Sequence, residues 1–220
     1  FSRGHLLIED MPGMGKTTLS HALARVLGLE FARVQFTSDM LPGDILGVSV
    51  FDQRAQVFNF HPGPVFTEVL LADEINRSTP KTQSALLEAM AERQVTIEGE
   101  TRALPADFFV IATQNPVTQA GTFPLPESQL DRFLMRIEIG YPDRAAERTM
   151  LAGGAGTPPI EALKAALSRE QLRRIQGESQ QVGTADMLLD YVQRLIEYTR
   201  SAPEFAHGLS PRGALALVNS

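Results

Sequence analysis

A short apolar run, His5-Leu6-Leu7-Ile8, leads through a glycine-rich turn, Met11-Pro12-Gly13-Met14-Gly15-Lys16-Thr17, into a helical pattern. That pattern carries Leu19, Ala22, Leu23, Val26 and Leu27 on one stripe. A strand, a tight loop and a helix in this order form the context that a phosphate-binding loop requires. Glycines let successive backbone N–H groups turn inward around phosphate oxygens, and the helix N-terminus adds positive potential. In this reading Pro12, Gly13, Met14, Gly15 and Thr18 cradle the phosphates, Lys16 reaches the β- and γ-phosphates, and the Thr17 hydroxyl holds Mg²⁺. The general pattern has Gly where this chain has Asp10, so only Gly13 and the Gly-Lys-Thr run match it.

The rest of the first half alternates apolar runs with helical patterns, which argues for an α/β fold with a mainly parallel sheet. Strands are expected over Phe31 to Phe36, Val69 to Ala72, Phe108 to Ala112 and Leu134 to Ile139. The continuous apolar runs among them suit strands buried on both faces. Ser78-Thr79-Pro80 opens a helix with Leu86, Leu87 and Met90. Two alternating segments, Val48 to Phe60 and Val95 to Leu104, read as β-hairpins that interrupt the α/β repeat. After Tyr141-Pro142 the strand signals stop and helices follow, around Ala145 to Leu151, from Ser168-x-x-Gln171, from Asp186 to Arg200 and from Ser210. Residues 153–159 read as a flexible break, and a domain boundary falls near Asp143. The chain starts at Phe1 and stops about two turns into a helical pattern, as expected of a piece of a longer protein.

Composition removes several functional classes. With 43% hydrophobic and 21% charged residues over 220 positions, a real core is available and disorder is excluded as the main state. The absence of cysteine excludes a disulfide scaffold, a thiolate metal site and a cysteine nucleophile. No apolar run approaches the ~20 residues that span a bilayer. The net charge of −6 argues against a dedicated nucleic-acid binder, and the four histidines lack metal-ligand spacing.

Further chemistry collects at strand ends. Leu70-Leu71-Ala72-Asp73-Glu74 closes a buried strand in two carboxylates, which at the C-terminal edge of a parallel sheet land beside the phosphate loop. Asp73 would bind Mg²⁺, largely through water, and Glu74 would polarise the attacking water as general base. Asn115 ends the next buried strand, where its amide either bridges the γ-phosphate and the attacking water or makes an Asx-turn before Pro116. Arg132 precedes the last strand, and Arg212 follows the N-cap pair Ser210-Pro211. Each is either a γ-phosphate partner or a surface residue.

The ordered set resembles the AAA+ ATPases, and within them the MoxR family. The stretches that carry the resemblance are Leu7 to Thr17, Gln35 to Ile45, Asp73-Glu74-Ile75-Asn76-Arg77 with Gln83 to Met90, Ala112 to Pro116, Phe123 to Glu127, Leu130 to Phe133 and Leu209 to Arg212. Asp10 is similar to what this family carries at that position. The resemblance implies a P-loop core with a parallel five-stranded sheet and two hairpin inserts over residues 1–142, then a helical lid over 143–220, truncated at its C-terminus. It also implies a cytoplasmic ATPase that takes ATP and Mg²⁺ and forms a homo-oligomeric, usually hexameric, ring with nucleotide between subunits. Lys16 and Thr17 correspond to the Walker A residues, Asp73 and Glu74 to Walker B, Asn115 to sensor 1, Arg132 to an arginine finger reaching a neighbour's ATP, and Arg212 to sensor 2. The hairpins correspond to the helix-2 and pre-sensor-1 inserts and are expected to serve contacts with subunits or a partner. The segment that helps hold the adenine would precede Phe1, and the remaining lid helices would follow Ser220.

Family members are chaperone-like, often with a partner bearing a von Willebrand factor A domain, in enzyme maturation or metal insertion. Two other classes compete with that reading: a nucleic-acid motor, because related helicases share the inserts, and a nucleotide-controlled adaptor. The acidic balance and the few basic residues in the hairpins, Arg54 and Arg102, weigh against the first. Glu74, Asn115 and Arg132 together weigh against the second.

Overall fold

The computed structural model describes residues 2–115, 121–152 and 159–220. In chain order the first part holds β1 (His5–Glu9), α1 (Lys16–Val26), β2 (Phe31–Gln35), α2 (Pro42–Leu46), β3 (Gly47–Asp52), β4 (Val57–Pro62), β5 (Val69–Asp73), α3 (Pro80–Glu92), β6 (Gln94–Ile97), β7 (Glu100–Ala103), β8 (Phe109–Gln114), α4 (Glu127–Leu130) and β9 (Phe133–Ile137). Helices α5 (Arg144–Leu151), α6 (Arg169–Gln180), α7 (Asp186–Ser201) and α8 (Pro211–Asn219) follow. Strands β2, β5, β8, β1 and β9 lie side by side in that order, all parallel. The expected parallel α/β sheet is therefore present, and so are both hairpins, β3–β4 and β6–β7.

Alternation along the central strands fills two layers. Ile8, Val69, Leu71 and Ile111 face α1, packing on Ala24 and Leu23. Leu7, Leu70, Ala72, Val110 and Ala112 face the other way, onto Leu86, Leu87 and Met90 of α3. Every residue of β5 is buried, which is why this strand reads as an unbroken apolar run. Thr79 caps α3 by accepting from the Thr82 N–H, with Pro80 in the first turn as its sequence announces.

Two features depart from the sequence reading. The short helices α2 and α4 lie in segments that carry no helical period. Strand β9 ends at Ile137 rather than Ile139, because the next free amides turn to a carboxylate on another segment. The expected break at 153–159 falls, apart from Pro159, outside the described residues.

Among the described residues the helical half meets both the flank and the N-terminal edge of the sheet. Helix α8 packs beside edge strand β9. At the opposite, N-terminal edge of the sheet, α6 brings down Arg169 and Arg173, one turn apart. Arg169 pairs with Glu68 at 2.8 Å and Arg173 with Asp107 at 2.7 Å, whose side chain is only 2% exposed. Leu172 is buried between them, and the amide of Ala166 donates to the Val26 carbonyl at 2.8 Å. A buried carboxylate without its partner is costly, so these pairs fix where α6 sits.

The same edge carries a buried imidazole. His5 Nδ1 accepts from the Val110 N–H at 3.0 Å, so its proton lies on Nε2, directed at the Met90 carbonyl at 3.3 Å. Burial, aided by the charge of Arg93, lowers its pKa to about 4. The folded chain thus keeps His5 neutral down to about pH 4, while an unfolded imidazole protonates near 6.5. Between those values the unfolded state binds the extra proton. Stability should therefore fall as pH drops from 6.5 towards 4, by about 3 kcal/mol for the full shift, and be unaffected by this group at higher pH. Denaturant midpoints measured from pH 4 to 8 check this, and His5→Gln should flatten that part of the profile.

Candidate active site

The loop lysine and threonine, the two carboxylates and the asparagine converge on the C-terminal edge of the sheet, where β1, β5 and β8 end next to one another. The loop after β1 bends through Gly13 (φ 86°) and Gly15 (φ 79°), a left-handed backbone that glycine adopts without strain. Helix α1 then starts at Lys16 with no side chain capping its first amides and no acid in its first turn. Uncapped N–H groups at a helix start bind anions readily.

Lys16 is buried, with 7% exposed, and its ammonium is turned back into the loop. It donates to the carbonyls of Asp10 at 2.6 Å and Met11 at 3.2 Å and to Asn115 Oδ1 at 3.4 Å. Burial pushes its pKa below the ordinary lysine value, while Asp10, Asp73 and Glu74 pull it back up. Thr17 Oγ1 donates to Asp73 Oδ2 at 3.4 Å, so the hydroxyl and the carboxylate proposed for a metal face each other.

The two carboxylates after β5 are held differently. Asp73 Oδ1 accepts from Thr113 Oγ1 at 2.6 Å, and Oδ2 accepts from Arg33 Nη2 at 2.7 Å and Nε at 3.1 Å. Glu74 has a left-handed backbone (φ 56°, ψ 48°), uncommon for a residue with a side chain and a form of strain that gathers at functional sites. Its N–H donates to Thr113 Oγ1 at 2.8 Å. Its Oε1 accepts from Asn115 Nδ2 at 2.8 Å, and its Oε2 from Gln35 Nε2 at 2.8 Å and Arg77 Nε at 3.0 Å.

Lys16, Thr17, Asp73, Glu74 and Asn115 therefore form one hydrogen-bonded group. The arginines stand apart from it. Arg132 donates from Nη1 to the Leu87 carbonyl of α3 at 2.8 Å, and its buried Nε has no partner. Arg212 is exposed in the first turn of α8 and bonds to none of the described residues. Pro116, needed for the Asx-turn reading of Asn115, lies outside the described residues.

Four members of the network escape sequence reasoning: Arg33, Gln35, Arg77 and Thr113. Arg33 and Gln35 are alternate residues of β2, and the register Gln35 opposite Asp73 delivers them to the carboxylates. The available signals were two polar residues at alternate positions of a short strand and, for Gln35, Arg77 and Thr113, their place within the stretches that carry the family resemblance.

The donor set suits a magnesium nucleotide. One carboxylate and one hydroxyl, both hard oxygen ligands, match an ion that takes its remaining ligands from phosphates and water. The left-handed loop and the bare start of α1 match the phosphates. No cluster of three or more His, Cys, Asp or Glu occurs among the described residues, so a cage made wholly of protein ligands is not present there.

Comparison with known proteins agrees. Residues 5–135 match the model of the ATPase family associated with various cellular activities (AAA). "Uncharacterized protein YeaC" of Bacillus subtilis is 46% identical over 219 residues, covering 100% of this chain and 68% of that protein. "Chaperone MoxR1" of Mycobacterium tuberculosis is 42% identical over 226 residues, covering 99% of this chain and 59% of that protein. A crystal structure of a Cytophaga hutchinsonii protein superposes with a TM-score of 0.86 at 39% identity, over 99% of this chain and 69% of that one. The chain thus spans between about three fifths and about two thirds of the length of these relatives. The matched fold, the ordered motifs and the relatives together place the chain in the MoxR family of AAA+ ATPases.

Proposed function

We propose that the chain hydrolyses ATP as the motor module of a chaperone-like protein, working in a homo-oligomeric ring on a client protein complex. The division would be an α/β nucleotide-binding body over 1–142 and a helical lid over 143–220. One observation carries the reading: the loop lysine, the two strand-end carboxylates and the strand-end asparagine meet in a single network.

In this mechanism Lys16 exchanges the carbonyls of Asp10 and Met11 for phosphate oxygens. Pro12 to Thr18 surround the phosphates with backbone N–H groups, apart from Pro12, which has none. Mg²⁺, when bound through Thr17 and Asp73, supplies electrostatic stabilisation of the β- and γ-phosphate oxygens. Asn115 positions both Glu74 and the attacking water. Glu74 takes the proton of that water as its oxygen attacks the γ-phosphorus and the bond to the β-phosphate oxygen breaks, leaving ADP. A carboxylate already accepting from three donors is a poor base, so Glu74 must first lose Gln35 or Arg77. Arg132 from a neighbour and Arg212 from the lid would add positive charge at the γ-phosphate.

The hairpins suit the client side. Val50, Phe51, Val57 and Phe58 are exposed along β3–β4, with the rings of Phe51 and Phe58 5.0 Å apart. The Arg102 guanidinium of β6–β7 lies 4.0 Å over the Phe60 ring, so the two hairpins touch. Resemblance to the family adds a partner with a von Willebrand factor A domain. The test uses the full-length protein. Magnesium-dependent ATP turnover that survives replacing residues 52–56 by a Gly-Ser turn, with loss of a client that co-purifies with the unaltered protein, is the expected outcome. Turnover stimulated by DNA, with no protein client retained, would replace this reading by a nucleic-acid motor.

A further inference from the structure

Asp10 stands where the general phosphate loop has glycine, and nothing in the hydrolytic scheme uses its carboxylate. Yet every polar atom of this residue is engaged. Its N–H donates to the Gln114 carbonyl of β8 at 3.2 Å, and its own carbonyl receives Lys16 Nζ at 2.6 Å. Its Oδ1 accepts from the Met11 N–H at 2.8 Å. Its Oδ2 accepts from two successive amides across the sheet edge, Ile139 at 2.9 Å and Gly140 at 2.7 Å.

Those two amides occupy a particular place. Pairing of β9 with β1 stops at Ile137, and α5 does not begin until Arg144. Gly140 is left-handed (φ 72°), so consecutive N–H groups converge on one oxygen, the arrangement of an anion-binding nest. Among the described residues no other hydrogen bond holds these two N–H groups. Donation from Gly140, Met11 and Ile139, with Lys16 nearby, keeps the Asp10 carboxyl below its usual pKa, so it is ionised at neutral pH. Glycine at this position could make none of these side-chain contacts.

We infer that Asp10 is a positioning residue that ties the phosphate loop to the exit of β9, so that Lys16 leaving the Asp10 carbonyl for phosphate loosens the chain leading into α5. The inference rests on the nucleotide reading of the loop. The path is short. Lys16 holds the carbonyl of Asp10, and the carboxylate of the same residue holds the junction. Drawing the ammonium away frees that peptide to turn, and the carboxylate turns with it. A loop that carried glycine here would bind phosphates and leave the junction uninformed.

The experiment is amide hydrogen exchange over residues 137–144 of the full-length protein, with and without a non-hydrolysable magnesium ATP analogue, alongside analogue affinity and steady-state turnover. In the wild type the Ile139 and Gly140 amides should exchange several-fold faster once the analogue binds. In Asp10→Gly they should exchange about tenfold or more faster throughout, as expected when charge-assisted hydrogen bonds are lost, and no longer respond to the analogue. Analogue affinity and KM should stay within about threefold of wild type while kcat falls about tenfold, the pattern of lost coupling rather than lost binding. Asp10→Asn, whose amide oxygen can still accept from both N–H groups, should restore part of the protection. Wild-type exchange that ignores a bound analogue overturns the inference alone, and so does weakened affinity in Asp10→Gly with the junction still protected. A wild type that fails to bind the analogue overturns the nucleotide reading and this inference with it.

Discussion

Full-length protein carrying Glu74→Gln should bind ATP with wild-type affinity and turn it over about 10²–10⁴ times more slowly, the usual loss when a general base is removed. In the proposed mechanism the phosphate contacts come from Lys16 and the start of α1, and the substitution replaces neither. Glutamine has nearly the shape of glutamate, and its carbonyl can still accept from Asn115 Nδ2, as Glu74 Oε1 does at 2.8 Å. The left-handed backbone is also retained, because the Glu74 N–H bond to Thr113 belongs to the main chain. What disappears is the capacity to take a proton from water, together with the bonds that Glu74 Oε2 accepts from Gln35 and Arg77. Single-turnover hydrolysis and equilibrium binding, measured on assembled protein, separate the two effects. Turnover near the wild-type rate would remove Glu74 from this role.

Rings mixed from Arg132→Ala and Lys16→Ala subunits should recover part of the activity that each variant lacks alone. The first variant has no arginine to offer its neighbour and the second cannot hold nucleotide, but mixing creates interfaces where an intact Lys16 meets an intact Arg132. Arginine fingers contribute about 10³–10⁵ in rate, so each pure variant should be close to inactive. Within one chain the guanidinium leans on the Leu87 carbonyl and leaves its Nε unpaired. A buried donor without an acceptor is costly, which favours a rearrangement that gives it one. If co-assembled mixtures stay inactive, Arg132 does not act across the interface.

How far the sequence revealed the molecule depends on whether the physics was local. The Gly13 and Gly15 loop announced itself because left-handed backbone before a helix demands glycine. Strand β5 announced itself because burial on both faces removes polar residues from it. The partners of Asp73 and Glu74 did not, because Arg33, Gln35 and Thr113 become neighbours only once β2, β5 and β8 lie in that order. A one-residue change of register would point Gln35 to the other face. Arg169 and Arg173 look like any solvated helix face until Glu68 and Asp107 are brought beneath them. Asp10 was visible as a departure from a pattern, but its meaning needed the far end of β9.

The grip of α6 on the underside of the sheet changes the kinematics open to the helices beyond Asp143. A lid joined to its body by one strand swings about that strand and can reorient widely. Here the chain leaves the upper rim at Gly140 and is bolted again at the lower rim through two buried carboxylates. The lower anchor thereby acts as a fulcrum for α6, which can rock about it but cannot slide past it without breaking both pairs. Helices α7 and α8 follow that fulcrum in the chain, with α8 bearing on the flank of β9, so rocking of α6 would carry leverage to them.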